Sequence, residues 1–193
     1  MKPNIDKPAD SVMKFFSRDL YARLQSPREE VVDEAEAGWE EAVAGYEDYL
    51  EKVRAEMPSH VRALADTYLH DAEFLALSEN VQPVSPPELS PFPSWAATAV
   101  LLLKQEGTFR TLVYGLLDRV RTHDAPEDWP LSKRNKHWLC DEVLMNADRH
   151  RGFLHRILFS DGEVVEIPFS TFNEVRFSLP DAANGMELSG RTR

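Results

Sequence analysis

Seven side chains in the sequence have the chemistry of a reactive or metal-binding site: His70, Asp71, His137, Asp141, Glu142, His155 and Arg156. Histidine with carboxylates can ligate a divalent metal or share general acid and base roles. Five of them interrupt otherwise apolar stretches, at 137–142 and 153–159, and His70-Asp71 lies where a helical pattern gives way to an extended one. If the strands through Asp141 and His155 pair, these groups become neighbours. A period of two then puts His137 and Asp141 on one face. No two histidines have a diagnostic ligand spacing, and Arg156 would repel a cation. The simpler readings are a cross-strand ion pair of Arg156 with Asp141 or Glu142 and a capped junction at His70-Asp71. His70, Asp71, Asp141, Glu142, His155 and Arg156 stand as the candidate catalytic residues, with no cofactor and no metal expected.

Recognisable catalytic signatures are missing: GxGxxG, GxxxxGK[ST], HExxH, CxxC and GxSxG do not occur. Cys140 is the one cysteine, so no intramolecular disulfide can form, and between Leu139 and Asp141 it reads as an inert buried thiol in a reducing compartment. A net charge of -11 opposes a nucleic-acid role, since phosphate binding needs clustered Lys and Arg. The cluster Lys133-Arg134-x-Lys136 is too small to reverse that. The opening residues lack the apolar core of a secretory signal, and the uncharged run 89–103 is too short and proline-rich to span a bilayer. The expectation is a cytoplasmic protein with no membrane association.

The elements that would position these residues begin after a polar stretch, 1–12, expected to be disordered. Phe15, Phe16, Leu20 and Leu24 suggest a first helix, capped by Asp10 or Ser11 and ending near Gln25. A second helix is expected over 27–57. Val32, Ala35, Trp39, Ala42, Tyr46, Tyr49 and Val53 alternate by three and four, with Ser26 as N-cap and Pro58 as the stop. Residues 26–60 carry eleven acidic and three basic side chains. That face could attract a basic partner, a solvated outer face being the simpler account, and its heptad-like run leaves a homodimer seam open. A short third helix through Val61, Leu64 and Tyr68 completes a helical layer, 13–70.

An antiparallel β part, 71–180, follows. Its first strand is Glu73–Leu77. Val81 to Pro93 holds five of the thirteen prolines and reads as a polyproline-like connection, whose Pro83-x-x-Pro86 spacing could meet a partner. Residues 96–105 have both helical and strand features; Glu106-Gly107 and the β-like run Phe109–Leu117 favour a hairpin. A polar loop, 122–135, precedes a strand at His137–Met145. The clearest hairpin joins Phe153–Phe159 to Val164–Phe169 through Asp161-Gly162. A two-residue type I′ turn would pair Phe159 with Val164, Leu158 with Val165 and Arg156 with Ile167. It would also set Leu154, Leu158, Val165, Ile167 and Phe169 on one side and Phe153, Ile157, Phe159 and Val164 on the other. After a turn at Ser170-Thr171, a last strand alternates Val175, Phe177 and Leu179, expected inward, with Glu174, Arg176 and Ser178. A flexible tail, 181–193, ends the chain.

A hairpin apolar on both faces needs two covers, the second expected from the long helix through Trp39. The fold class is therefore α+β: a helical layer with one long amphipathic helix on a curved, mainly antiparallel sheet or partial barrel.

Met13-Lys14-Phe15-Phe16, Leu69-His70-Asp71-Ala72, Trp138-Leu139-x-Asp141-Glu142 and His155-Arg156-Ile157-Leu158-Phe159-Ser160-Asp161-Gly162 together resemble an uncharacterised bacterial protein family. The resemblance runs from Met13 to about Leu179, with Cys140 where an aromatic residue is expected. It implies a bacterial source, a shared architecture and Met13 as a natural start, and no activity. The leading functional expectation is a non-catalytic protein-binding module acting through the acidic helix or the proline-rich loop 81–93. The alternatives are a metal-dependent hydrolase using His70, Asp71, Asp141, Glu142 and His155, and a small-ligand carrier with a deep apolar pocket in the sheet.

Overall fold

The computed structural model describes residues 12–83, 95–131, 134–146 and 152–178. The described residues form three helices, α1 (Arg18–Leu24), α2 (Glu29–Val53) and α3 (Ser59–Ala65). Seven strands follow: β1 (Glu73–Pro83), β2 (Trp95–Gln105), β3 (Thr108–Leu116), β4 (Arg121–His123), β5 (Trp138–Asn146), β6 (Gly152–Phe159) and β7 (Val164–Ser178). The strands make one antiparallel sheet in the order β1-β2-β3-β7-β6-β5, with β4 beside the start of β7. The architecture is α+β, helices against a curled half-barrel. The expectations placed on 1–11, on the Pro83-x-x-Pro86 motif and on 179–193 fall outside the described residues.

Curling brings the two edge strands together at one end. Glu73 bridges His137, Asp71 N–H donates to the Trp138 carbonyl at 2.9 Å, and Trp138 N–H donates to the Ala72 carbonyl at 2.9 Å. The interior is packed with Trp138, Tyr114, Phe159, Phe169, Leu101, Leu103, Leu112 and Ile157, all fully buried, and α3 adds Val61 and Leu64. A smaller cluster lies on the opposite side of the sheet, where Met13, Phe16 and Trp129 cover Leu139, Leu158 and Val164.

The β6–β7 register differs from the sequence expectation by one residue. Leu158 faces Val164, Arg156 faces Glu166 and His155 faces Ile167. Only Gly162 takes a positive φ in this turn, +82°, and its N–H donates to the Phe159 carbonyl while Phe159 N–H bonds back to Glu163. This is a three-residue loop with glycine in the left-handed position, the second common hairpin solution. The slip exchanges the faces of β7, because side chains alternate. Val165, Ile167 and Phe169 join Phe153, Ile157 and Phe159 inside, and Val164 joins Leu158 outside. The two-residue turn occurs instead at Glu106-Gly107, with φ of +48° and +77°, between Gln105 and Thr108. Residues 96–105 are thus strand.

Other boundaries also move. The first helix starts at Arg18, capped by the Ser17 hydroxyl, and Met13–Phe16 runs as an irregular segment under it. Helix α2 begins at Glu29, and Met57 lies past its end in the core. Strand β1 continues through Pro83 into the stretch expected to be polyproline-like, and Thr122 belongs to β4 rather than to a loop. Strand β7 passes through Ser170-Thr171 without a turn. In its second half Val175 and Phe177 are 49% and 44% exposed, against the expected inward alternation. The opposite face there holds Glu174 against buried Arg110, a 2.6 Å ion pair that takes up the interior side.

Candidate functional site

The six candidate residues divide among three places. Inside the half-barrel, buried His155 joins two neighbours: its Nε2 lies 3.0 Å from Asp141 Oδ2 and its Nδ1 2.9 Å from the Tyr114 hydroxyl. Trp138 Nε1–H donates to Asp141 Oδ1 at 2.9 Å. A neutral imidazole that donates from Nε2 to the carboxylate and accepts the Tyr114 proton at Nδ1 satisfies every partner. Tyr114 is held well above the ordinary phenol value, first by burial and then by the Asp141 charge. The chain Tyr114–His155–Asp141–Trp138 ties β3, β6 and β5 together across the core.

The parity of β5 explains why Trp138, not His137, shares this face. A bulge between Trp138 and Cys140 inserts a residue before Asp141. The sequence pattern has no marker for that extra residue, so the expected pairing of His137 with Asp141 fails.

On the other face of the same strands, Glu142, Arg156 and Glu166 stand in one cross-strand row that ends at Arg121. Arg156 Nε donates to Glu166 at 2.9 Å, its Nη1 lies 3.4 Å from Glu142, and Arg121 reaches Glu166 at 3.1 Å. Arg156 thus pairs with Glu142 and not with Asp141. Glu142 is fully buried and accepts backbone N–H bonds from Lys14 at 2.6 Å and Phe15 at 2.8 Å. Burial raises its pKa above the ordinary carboxyl range, more than those donors and Arg156 lower it. This row anchors the 13–16 segment over the sheet.

The third place is the β1–β5 junction. His70 Nδ1–H donates to the Leu139 carbonyl at 2.7 Å, while Asp71 turns out to solvent at φ +63°. Among the described residues, no group of three or more His, Cys, Asp or Glu side chains is arranged to hold a metal ion. Asp141 and His70 line a common cavity, but Asp71, Glu142, His155 and Arg156 do not line it.

That cavity, about 420 Å³, lies at the seam between α2 and the edge of the sheet. Phe16, Trp39, Tyr46 and Tyr68 form aromatic walls, and the rest comes from 65–70 and from Leu139, Cys140 and Asp141. A second cavity of about 440 Å³ continues it along α2 between Val43, Glu47, Leu50, Glu51 and Arg54 on one side and Asp66 on the other; Tyr46 and Ala65 line both. Together they make a groove with an apolar floor and an acidic rim. Among the described residues its one Lys or Arg side chain, Arg54, is paired to Asp66 at 2.7 Å. Asp141 contributes, after burial, to the raised pKa of Tyr46 and of Cys140, both in the lining of the first cavity.

The groove persists because α2 packs lightly. Of its 25 residues only Ala35 is buried, and the stripe Trp39, Val43, Tyr46, Leu50 and Val53 stays half-covered. Where α2 meets the sheet it binds an edge: the Tyr46 and Tyr49 hydroxyls each accept a 2.7 Å bond, from Val143 N–H and Met145 N–H of β5. The cover expected from the long helix is present and shared with Phe16: Trp39, Val43 and Tyr46 pack against the same cluster, the Phe16 and Trp39 rings 5.1 Å apart. Sequence reasoning identified the stripe and the acidic face but not the groove, since nothing local signals that 65–70 forms its other wall.

A larger cavity of about 700 Å³ lies between the 13–22 segment and Pro126–Pro130; charges of both signs line it, and none of the six candidates does. The half-barrel interior is filled with side chains, and none of these three cavities lies within it. No helix among the described residues is long and apolar enough to cross a membrane. No protein-family model, curated protein or solved structure matches the chain.

Proposed function

We propose that the chain is a non-catalytic, cytoplasmic protein-binding module whose site is the groove between α2 and residues 65–70. The partner is a protein segment with both apolar and basic side chains. One observation carries this reading: a 25-residue amphipathic helix buries a single residue and leaves its apolar stripe half-covered beside a cleft. Grooves of this kind take an amphipathic segment by its apolar side chains. Glu47, Glu51 and Asp141 around the groove, within a chain of net charge -11, supply the complement to basic residues and speed encounter. The residues that resembled a catalytic set support the reading in another way, since Glu142, His155 and Arg156 make their hydrogen bonds inside the fold.

The test is calorimetric titration with a synthetic peptide of alternating leucine and arginine, and with its glutamate counterpart. The basic peptide should bind, weaken as salt is raised, and lose most of its affinity to a Glu47→Lys/Glu51→Lys variant. Glu41→Lys/Asp48→Lys makes the same charge change on the opposite face of α2 and should retain binding to within about twofold, the residual long-range effect at moderate salt. Equal binding by both double variants would contradict the proposal, as would equal binding of the glutamate peptide.

A further inference from the structure

We propose that the aromatic end of this groove receives the guanidinium of an arginine side chain from the partner, an assignment that rests on the binding reading above. Phe16, Trp39, Tyr46, Tyr68 and Asp141 all line one cavity. Aromatic surface attracts a cation through the ring quadrupole, and guanidinium, being planar and weakly hydrated, suits such a cleft better than ammonium. The chain uses the same attraction within its own fold: Lys14 lies 4.2 Å from the Tyr49 centroid and Lys136 4.6 Å from that of Phe159. Among the described residues no such cation occupies the rings of this cavity. Tyr68 is the conspicuous member, 74% exposed, with His70 as its ring neighbour at 6.0 Å.

Asp141 selects among cations. An ionised carboxylate has about four acceptor positions. Trp138 Nε1 and His155 Nε2 occupy one on each oxygen, and the side chain keeps 17% exposure. The remaining positions fit N–H donors, which guanidinium supplies and a quaternary ammonium does not. The interior network thereby acquires a role in recognition, because His155 and Trp138 fix the carboxylate in orientation.

The test uses the full chain, isotope-labelled, titrated with acetyl-Gly-Arg-Gly-amide and with the same tripeptide carrying lysine or uncharged citrulline. The arginine peptide should give saturable shifts at the Trp39 indole N–H and at the Tyr68 and Asp141 amides, exceeding those from lysine, with none from citrulline. Tyr68 contributes little to the core, so Tyr68→Ala should fold and weaken binding by about three- to tenfold, the range of a cation–π contact, while Tyr68→Phe should retain it. Shifts confined to Leu50, Glu51 and Asp66 would overturn the arginine assignment and leave the groove reading standing. Equal shifts from citrulline, or a Tyr68→Ala variant that binds as well as the parent, would also overturn it. Failure of the groove itself is read separately, from the charge-reversal pairs.

Discussion

Glu142 is the residue on which the N-terminal segment depends. Its carboxylate accepts from Lys14 and Phe15 and faces Arg156 while fully buried. Glu142→Gln keeps the size but sets an amide N–H₂ against one of those donors, so it should cost about 1–3 kcal/mol of stability, the usual penalty for a buried polar mismatch. Because burial raises the folded-state pKa, the stability Glu142 contributes is complete below its unfolded value, about pH 4, and is lost as the pH rises through the folded value. The margin of the parent over Glu142→Gln, measured by urea unfolding, should therefore be widest in acid and narrow toward neutral pH. A margin that widens with pH would show the ionised form to be the favoured one. The chemistry of this residue was legible in the sequence, and its pairing with Arg156 was one of two left open there, the other being Arg156 with Asp141. The turn that gives Arg156 its second partner, Glu166, was not legible. An Asp-Gly pair permits both a two-residue and a three-residue loop, and which one forms is decided across the strands, where the slipped register sends Ile167 and Phe169 into the core.

Among the elements, α2 is the one whose pattern was read most directly and whose placement was read least. Its three-four periodicity specifies a helix and an apolar stripe, but periodicity does not say what the stripe touches. The helix seals the open edge of β5 with tyrosine hydroxyls, where backbone N–H groups would otherwise await another strand. Tyr46→Phe and Tyr49→Phe should each cost about 1 kcal/mol, the net worth of one hydrogen bond. Amide exchange should accelerate at Val143 in the first variant and at Met145 in the second. Unchanged exchange at both amides would show that the hydroxyls do not hold the edge. The β5 bulge was equally hidden, since an inserted residue has no compositional mark, and it is what brings Trp138 onto the face with Asp141.

At the scale of the whole molecule, one sheet serves two purposes. Its concave side is filled by aromatic and aliphatic side chains and crossed by the Tyr114–His155–Asp141–Trp138 chain. Its other side, near β5, carries the charged row and the 13–16 segment, and α2 stands at the edge where the two sides meet. The α+β architecture and the demand for covers on both faces followed from hydrophobic patterning. The closure of β1 onto β5 did not, because it joins residues some sixty positions apart through three backbone contacts at one end. That closure positions 65–70 opposite α2 and so creates the groove. The most direct test of its role is photocrosslinking in living cells of the native host, with a photoreactive residue replacing Leu50 or, as control, Val113 on the outer face of β3. The account predicts one discrete adduct from position 50, attached through a partner peptide that contains arginine and apolar residues, and none from position 113. No adduct at position 50, or the same adduct from both positions, would contradict it.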